Sequence, residues 1–358
     1  MVSMNNEFNK AKFRELDKIK KFPRTTVIIL NWNSLEDTTL CLESLKNSAT
    51  PVLAVVVDNA STETGIEDLC ERTPQTILLK NEDNLGFGRG NNVGLKWALE
   101  HTNSEYFLIF NNDARLESDT IREMEYHLDN HPEIGGAIPQ IVFTDEPDKV
   151  WYARGEVDWK RGGGRVRNFR SKIDQDCIPG KVNFATGCAM MLRRKALEQV
   201  GGFDPRYFMY EEDVDLSLRL AKSGLWIEYI PSVIISHRVQ GSKRKKNEPF
   251  FAPDSPHNPH LSFYMYHITR NRFLTMYKHA RGKDRLQFLI FFPLRSIYKA
   301  VQFFINGRIP AVFAILSGYL DYCKIRNFAY IDEVNGKQYI PEQSVLPALP
   351  NKQTSFEN

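Results

Sequence analysis

The first third of the chain alternates between short apolar runs and polar segments with helical spacing. Four runs are almost entirely apolar or β-branched, which is the pattern of strands buried on both faces, and they occupy residues 25–30, 53–58, 76–80 and 106–110. The segments between them place apolar residues at helical intervals. Strand–helix–strand alternation with short connections predicts an α/β domain with a parallel sheet and right-handed crossovers.

Polar residues follow each predicted strand at once. They form the stretches NWNS (31–34), DNAS (58–61), NEDNLGFGRGNN (81–92) and NND (111–113). Ligands of open parallel sheets bind beyond the carboxyl ends of the strands. The four stretches therefore predict a single ligand site on one edge of the sheet.

The pattern changes in the middle of the chain. Residues 160–172 are rich in Gly and basic residues, which predicts a loop. Residues 182–204 predict a strand followed by a helix that ends at a pair of glycines. Residues 208–224 predict a helix whose first turn is acidic, where the helix dipole favours negative charge. Two further short strands are predicted, and the second ends at His237.

The C-terminal part of the chain differs in kind. Residues 260–335 are strongly apolar and aromatic, and Arg295, Lys299 and Arg308 interrupt them at a spacing that suits one polar helix face. This pattern predicts amphipathic helices that lie in a membrane interface, with packing on the main domain as the open alternative. No uninterrupted apolar run has the length needed to cross a bilayer.

These patterns divide the 358 residues into five segments. We expect a helical lead-in, a main domain, a linker, C-terminal amphipathic helices and a flexible tail, at residues 1–23, 24–245, 246–259, 260–335 and 336–358. The lead-in is polar and lacks the apolar centre of a signal peptide. The formal net charge of +3 is too small to indicate a nucleic-acid partner. Five cysteines without metal-binding or redox spacing fit a reduced, cytosolic compartment.

Two candidate metal ligands lie at predicted strand ends. Asp113 could bind a hard cation through oxygen, together with substrate phosphates, and Asn111 and Asn112 could add neutral oxygens. A simple turn explains the same three residues equally well. His237 is either a surface residue or a metal ligand. The interpretation as a metal ligand is favoured if a metal binds at the same edge of the sheet.

Acidic and Gly-rich stretches supply the other candidates. The stretch EEDVD (211–215) packs four acids into five positions. The start of a helix accounts for any one of these acids, but it accounts less well for four of them together. One acid with a raised pKa could serve as a general base. The three glycines of NLGFGRGNN (84–92) precede a helix, as in phosphate-binding turns, although their spacing is not that of a dinucleotide fingerprint. Asp58 could bind a nucleobase or ribose, or cap a helix.

Taken in order, these stretches resemble glycosyltransferase family 2 on the GT-A fold. The resemblance rests on TVIILNWN, VVVDNAST, NLGFGRGNNVGL, FLIFNNDA, the segment around EEDVDL and SHRVQG, and it covers about residues 25–237. DNAS and EDVDL look most like bacterial transferases of rhamnose and related sugars in surface polysaccharide assembly. The resemblance implies a Rossmann-like, mostly parallel α/β sheet, a C-terminal helical region associated with the membrane, and an inverting reaction that uses Mn²⁺ or Mg²⁺.

The resemblance also assigns roles to individual residues. It implies that the donor nucleotide and diphosphate contact Asn31, Asn33, Asp58, Asn84, Gly86, Asn91, Asn111, Asn112 and Asp113. Asp113 and His237 are the implied metal ligands, and Asn111 replaces the first acid of the family's Asp-x-Asp motif. Asp213 is the implied catalytic base, and Glu212 supports it or binds the acceptor. The implied pocket for the donor sugar and the acceptor is formed by Thr186, Gly187, Gly202 and Glu211.

Partners follow from the same resemblance. The implied donor is deoxythymidine-diphosphate rhamnose, with a uridine-diphosphate hexose as the alternative, and the acceptor is a saccharide or a lipid-linked saccharide. The implied location is the cytoplasmic, inner face of the cell membrane, and homo-oligomerisation is left open. A nucleotidyltransferase would need a Gly-rich basic loop where this chain has NWNS. A non-catalytic, membrane-docked scaffold that binds nucleotide sugars is favoured by Asn111 alone.

Overall fold

The computed structural model describes residues 22–73, 75–173, 178–239 and 253–340. Most of the expected lead-in, about half of the expected linker and the end of the expected tail therefore lie outside the described residues.

The predicted alternation is present in the first third of the chain. The elements are β1 (Thr25–Asn31), α1 (Leu35–Lys46), β2 (Val52–Asp58), α2 (Ile66–Arg72), β3 (Thr76–Lys80), α3 (Gly86–His101) and β4 (Tyr106–Asn111). The four strands pair in parallel, in the order β3-β2-β1-β4. Their side chains are almost all buried on both faces, which confirms the interpretation of the continuous apolar runs.

The second part of the domain adds strands of both directions. Its elements are β5 (Ala114–Leu116), α4 (Thr120–Asn130), β6 (Gly136–Phe143), β7 (Val150–Tyr152), β8 (Gly155–Asp158), β9 (Gly163–Val166), β10 (Gly180–Val182), β11 (Ala189–Arg193), α5 (Arg194–Val200), α6 (Glu212–Lys222) and β12 (Ile227–His237). The two short strands predicted before His237 are one strand, β12. Its register against β6 shifts between Ile230 and Ile234, next to Pro231, which has no N–H to donate to the ladder.

The main sheet is mixed and mostly parallel, with the order β10-β12-β6-β11-β4-β1-β2-β3. β11 runs antiparallel to both β4 and β6, so its first residue lies where the parallel strands end. The carboxyl ends of β1, β2 and β4 are in register, since Asn31 is paired with Asp58 and Leu30 with Asn111. We call this side of the sheet the carboxyl edge.

Helix α3 lies unusually close to the sheet. A Cβ atom on Gly90 would lie 2.5 Å from a Leu30 methyl group, and one on Gly94 would lie 2.6 Å from Ile28. These glycines therefore let the helix backbone approach β1, and they place the start of α3 beside the carboxyl edge.

The C-terminal helices are α7 (Leu261–His279), α8 (Gly282–Ile305) and α9 (Ile309–Ile325), followed by a hairpin of β13 (Tyr330–Ile331) and β14 (Gln338–Tyr339). Helix α7 packs into the core of the main domain through side chains such as Leu274 and Met276. Its mostly buried surface agrees with packing on the domain, the alternative to the membrane interpretation.

Helices α8 and α9 expose much of their apolar surface. Ten apolar side chains of α8 are between 48% and 77% exposed. By length and composition alone, α8 is also apolar enough to cross a membrane, although basic residues interrupt its apolar sequence. Two of its basic residues, Arg295 and Lys299, approach Asp254 in the segment before α7.

Candidate active site

The carboxyl edge gathers residues that are far apart in the sequence. The start of β11 reaches this edge, where the Asn111 N–H donates to the Cys188 carbonyl oxygen at 2.9 Å. The end of β12 reaches it as well, since His237 pairs with Ala114 in β5. Residues from both halves of the domain therefore surround one site, as the polar strand ends predict.

Asn31, Asn33 and Asp58 form a linked group at the ends of β1 and β2. The Asn31 amide donates to Asp58 Oδ1 at 2.9 Å, and its oxygen accepts a hydrogen bond from the Thr38 hydroxyl at 2.8 Å. The Asn33 side-chain oxygen accepts the Thr62 N–H at 2.8 Å. Both asparagines therefore hold the surrounding loops in place, and Asn31 orients the Asp58 carboxylate.

A second group fixes the turn into α3. The Asn84 side-chain oxygen accepts the Gly86 N–H at 2.9 Å and the Asn59 amide at 2.8 Å, while the Asn91 amide donates to the Phe87 carbonyl oxygen at 2.9 Å. Gly86 has a φ of 80°, and a Cβ there would lie 2.1 Å from the Phe208 carbonyl oxygen. Packing thus requires this glycine even without a bound phosphate.

Asp113 and His237 form a buried pair. His237 Nε2 lies 2.9 Å from Asp113 Oδ1, and the Trp151 ring contacts the imidazole edge-to-face at a centroid distance of 4.4 Å. Burial favours the neutral imidazole, but the charges of Asp113 and Cys188 outweigh it and raise the pKa of His237 well above 6.5.

This pair consists of one carboxylate and one imidazole, and both groups are common metal ligands. Their separation of 2.9 Å is a hydrogen-bond distance, so a bound divalent cation would take the place of the proton between them. Asn111 lies beside the pair at the end of β4. The Asn112 amide donates to the Thr38 hydroxyl at 3.0 Å, so Asn112 is held towards α1.

Glu211 begins the acidic stretch in a strained conformation. Tyr210 and Glu211 have φ values of 71° and 70°, in the left-handed region that non-Gly residues seldom adopt. The buried Asn271 amide on α7 donates to the carbonyl oxygens of Met209 and Tyr210, at 2.8 and 2.7 Å. Burial raises the pKa of Glu211 to about 7, although Arg272, 3.1 Å away, acts in the opposite direction.

Glu212 and Asp213 are the first residues of α6, and their surroundings favour the protonated forms. Asp213 is half-buried and accepts the Gly187 N–H at 3.2 Å and the Val214 N–H at 2.9 Å. Burial nevertheless raises the pKa of Asp213 to about 6. Burial and the neighbouring Asp213 charge raise the pKa of Glu212 well above 4.5, and one Glu212 oxygen has no hydrogen-bond partner among the described residues.

Asp215, the last acid of the stretch, is a structural ion-pair partner. Lys278 Nζ lies 2.5 Å from Asp215 and 2.6 Å from Asp204, and Arg219 lies 2.9 Å from Asp215. Although burial acts in the opposite direction, these cations hold the pKa of Asp215 well below 3.8. The four acids therefore have different surroundings.

Three residues of the implied pocket for the donor sugar and the acceptor, Thr186, Gly187 and Gly202, lie in two places. Gly187 is beside Asp213, and a Cβ on it would lie 2.7 Å from the Phe87 ring. Thr186 is buried next to it. A Cβ on Gly202 would lie 2.3 Å from Val334 and 2.4 Å from Asn92, so Gly202 packs between α3 and the segment between β13 and β14.

Several residues of this site were not predicted from the sequence. Asn59 and Cys188 lie in the stretches DNAS and ATGC, next to residues with assigned roles. Adjacent polar residues at a strand end were the signal that could have indicated Asn59. Asn271 and Arg272 gave no signal, because their contacts with residues 209–211 are about 60 positions away.

Comparisons with known proteins identify the family that the first half of the chain matches. Residues 26–201 match the model of the family described as glycosyl transferase family 2, and residues 167–240 match the N-terminal domain of galactosyltransferase. The chain is 29% identical over 214 residues to the N-acetylglucosaminyl-diphospho-decaprenol L-rhamnosyltransferase of Mycobacterium tuberculosis, covering 54% of this chain and 69% of the relative. It is 25% identical over 213 residues to the rhamnosyltransferase WbbL of Escherichia coli, covering 56% and 75%.

The fold has a match among solved structures. The crystal structure of GalNAc-T7 with UDP, GalNAc and Mn²⁺ superposes with a TM-score of 0.51 at 14% identity, covering 72% of this chain. The match covers 48% of that structure, and at this identity it supports the GT-A-like fold alone. Residues 26–201, with their site at the carboxyl edge, therefore form a glycosyltransferase family 2 domain, and the chain is similar to the two bacterial rhamnosyltransferases.

Proposed function

We propose that this protein is an inverting, metal-dependent glycosyltransferase. It transfers a sugar from a nucleotide-diphosphate donor, with deoxythymidine-diphosphate rhamnose as the preferred candidate, to a saccharide or lipid-linked acceptor in surface polysaccharide synthesis. The observation that carries the proposal is the placement of Asp213. Its carboxylate accepts the Gly187 N–H, and Gly187 immediately precedes Cys188, which lies beside the Asp113–His237 pair.

The donor nucleotide is assigned to the ends of β1 and β2. Asn31 donates to one Asp58 oxygen and thereby orients the carboxylate, so that Asp58 can accept hydrogen bonds from the base or the ribose. Asn33, Asn84 and Asn91 shape the loops around the nucleotide. Names of relatives support a rhamnose donor, and a uridine-diphosphate hexose is the alternative.

Asp113 and His237 would hold the divalent cation, Mn²⁺ or Mg²⁺, with Asn111 next to them. When bound, such a cation stabilises the negative charge of the departing diphosphate. The chain has one acid at this strand end where the family motif has two. Weak metal affinity in the absence of nucleotide is therefore expected, because the donor diphosphate has to supply further ligands.

Asp213 is assigned as the general base. It accepts the proton of the acceptor hydroxyl while that oxygen forms a bond to the anomeric carbon and the bond to the diphosphate breaks. One displacement of this kind inverts the anomeric configuration. A pKa of about 6 keeps Asp213 mostly ionised near neutral pH yet more basic than an ordinary aspartate, as a general base requires.

We place the protein on the cytoplasmic face of the membrane, attached through α8 and α9. The support is the exposed apolar surface of these helices, which a bilayer interface would cover. Helix α7 has a different role, because it is packed into the main domain.

A donor screen tests the proposed activity. The full-length protein is incubated with Mn²⁺ or Mg²⁺ and a panel of nucleotide sugars, with and without bacterial lipid extract, and nucleoside diphosphate release is measured. We expect release from one donor that increases with the extract. Release of pyrophosphate from a nucleoside triphosphate and a sugar phosphate would instead indicate a nucleotidyltransferase. Nucleotide binding without turnover across a panel that contains both donor classes would indicate a scaffold.

A further inference from the structure

A cavity of about 170 Å³ lies between the β8–β9 hairpin and helices α7 and α8. Its lining contains five cations and two carboxylates, namely Arg161, Arg165, Arg272, Arg295, Lys299, Asp158 and Asp254. We call it the basic cavity. Pockets for drug-sized ligands usually measure about 300–1,000 Å³, so the basic cavity suits a small anionic group rather than a whole nucleotide sugar.

The cations of the basic cavity outnumber the acids that they approach. Arg295 and Lys299 are one turn apart on α8, and both approach the same Asp254 oxygen, at 3.7 and 3.0 Å. On the hairpin side, Arg161 lies 3.5 Å from Asp158. This arrangement leaves an excess of positive charge and guanidinium groups that match the geometry of phosphate oxygens.

The basic cavity adjoins the acidic stretch of the active site. Arg272 lines the cavity and donates to Glu211 Oε1 at 3.1 Å. A Cβ on Gly163 would lie 2.3 Å from the same oxygen, so the β9 backbone closes against this carboxylate. Glu211 is two residues before Asp213, and it therefore connects the cavity wall with the proposed base.

Helix α8 joins the basic cavity to an apolar surface. Phe292 of α8 lines the cavity, whereas its neighbours Phe291 and Leu294 are 48% and 60% exposed. An exposed apolar surface of this extent usually marks a binding surface for lipid or protein. One helix thus presents cations to a small cavity and apolar side chains to the exterior.

We propose that the basic cavity binds the diphosphate of a lipid-linked saccharide acceptor, with the lipid chain along the exposed face of α8 and the saccharide directed towards Asp213. The cations match the diphosphate charge, and the apolar residues beside them match the lipid. The inference rests on the proposed glycosyltransferase function, whose acceptor it specifies.

Binding of farnesyl diphosphate to the full-length protein tests the inference without turnover. Isothermal titration in EDTA, which keeps divalent cations from recruiting the probe to Asp113 and His237, compares farnesyl diphosphate with farnesol and inorganic pyrophosphate. We expect farnesyl diphosphate to bind most tightly. The double variant R295Q/K299Q should weaken its binding about tenfold or more, because two charge-assisted contacts are lost. The matched control K283Q/R285Q removes two charges from the same helix outside the cavity lining and should bind as the wild type does.

Three results would overturn the inference: unchanged binding in R295Q/K299Q, equal weakening in the control, or equal affinity for pyrophosphate and farnesyl diphosphate. Failure of the proposed function can be recognised separately. Farnesyl diphosphate binding that depends on the two cations, in a protein without transferase activity, would support the cavity and refute the activity. Transfer to a lipid-linked acceptor at the same KM in R295Q/K299Q would refute the cavity and leave the activity intact.

Discussion

Replacing Asp213 by Asn should abolish transfer and, at the same time, stabilise the protein. The pKa of Asp213 is raised from 3.8 to about 6, first of all by burial. A shift of about 2 pKa units corresponds to about 3 kcal/mol by which burial disfavours the ionised form near neutral pH. Asparagine keeps the shape without the charge but loses one of two hydrogen bonds to backbone N–H groups, which costs about 1 kcal/mol. Solvent screening at this half-buried position reduces the gain further, so we expect D213N to be about 1–2 kcal/mol more stable.

The stabilisation should depend on pH in a defined direction. Because the folded-state pKa is raised, Asp213 contributes most to the stability of the wild type below pH 4, where it is protonated. The wild type loses this stability as the pH rises through about 6. The free energy of unfolding, measured by urea denaturation, should therefore be higher for D213N than for the wild type at pH 7.5 and equal for the two near pH 4. Transfer should fall about a hundredfold or more, as for loss of a general base, while binding of the nucleoside diphosphate stays unchanged.

Asp215→Asn provides a matched control on the same helix. The pKa of Asp215 is held well below 3.8 by Lys278 and Arg219, against the effect of burial. Removing this charge leaves the buried Arg219 without its carboxylate and leaves Lys278 with Asp204 alone, which costs about 3–5 kcal/mol. The same substitution two positions apart should thus change stability in opposite directions. Destabilisation of D213N would refute the argument from the raised pKa. Loss of donor binding together with turnover would refute the assignment of Asp213 as the base.

Three further expectations concern the metal, the pH profile and the membrane. Asp113→Ala should abolish the Mn²⁺-dependent part of nucleoside diphosphate binding. It should be measured in an H127A background, because the ligand atoms of His127, His131 and Glu228 lie within 4.8 Å of one another and could hold a second cation; unchanged binding would remove Asp113 from the metal site. The wild-type kcat/KM should rise with pH through about 6, the pKa of Asp213, and a rate that falls over this range would contradict its role as a base. Replacing Phe291 and Leu294 by Ser should reduce sedimentation with anionic lipid vesicles, and equal sedimentation would contradict membrane attachment through α8.

The sequence predicted those parts of the fold in which burial follows directly from residue type. Strands β1 to β4 are continuous apolar runs, and their polar ends meet because parallel strands end on the same side of a sheet. Strand β6 was missed although it is buried throughout, because Gly136, Pro139 and Gln140 interrupt its apolar pattern. The Gln140 side chain is tolerated there because its oxygen accepts the Tyr229 hydroxyl at 2.8 Å, a contact 89 positions away that no local pattern contains.

The division of roles within EEDVD also depends on distant residues. Four acids within five positions would repel one another if all were ionised. Lys278 pairs with Asp215 and holds its pKa low, whereas burial raises the pKa values of Glu212 and Asp213 and also that of Glu211, which pairs with Arg272. Environments that separate the pKa values of neighbouring carboxylates are typical of sites with acid–base function.

Arg272 and Lys278 both belong to α7, which the sequence pattern assigns to a separate membrane-associated segment. Asn271 on the same helix holds the strained residues before Glu211. Removing the chain from residue 260 onwards would therefore leave Asp215 without Lys278, and Glu211 without Arg272. Such a truncation should unfold the domain or abolish activity even in detergent solution, where membrane binding is irrelevant. Substitutions confined to the exposed faces of α8 and α9 are the ones that separate membrane attachment from the proposed catalysis, because α7 contacts residues 209–211 of the candidate active site.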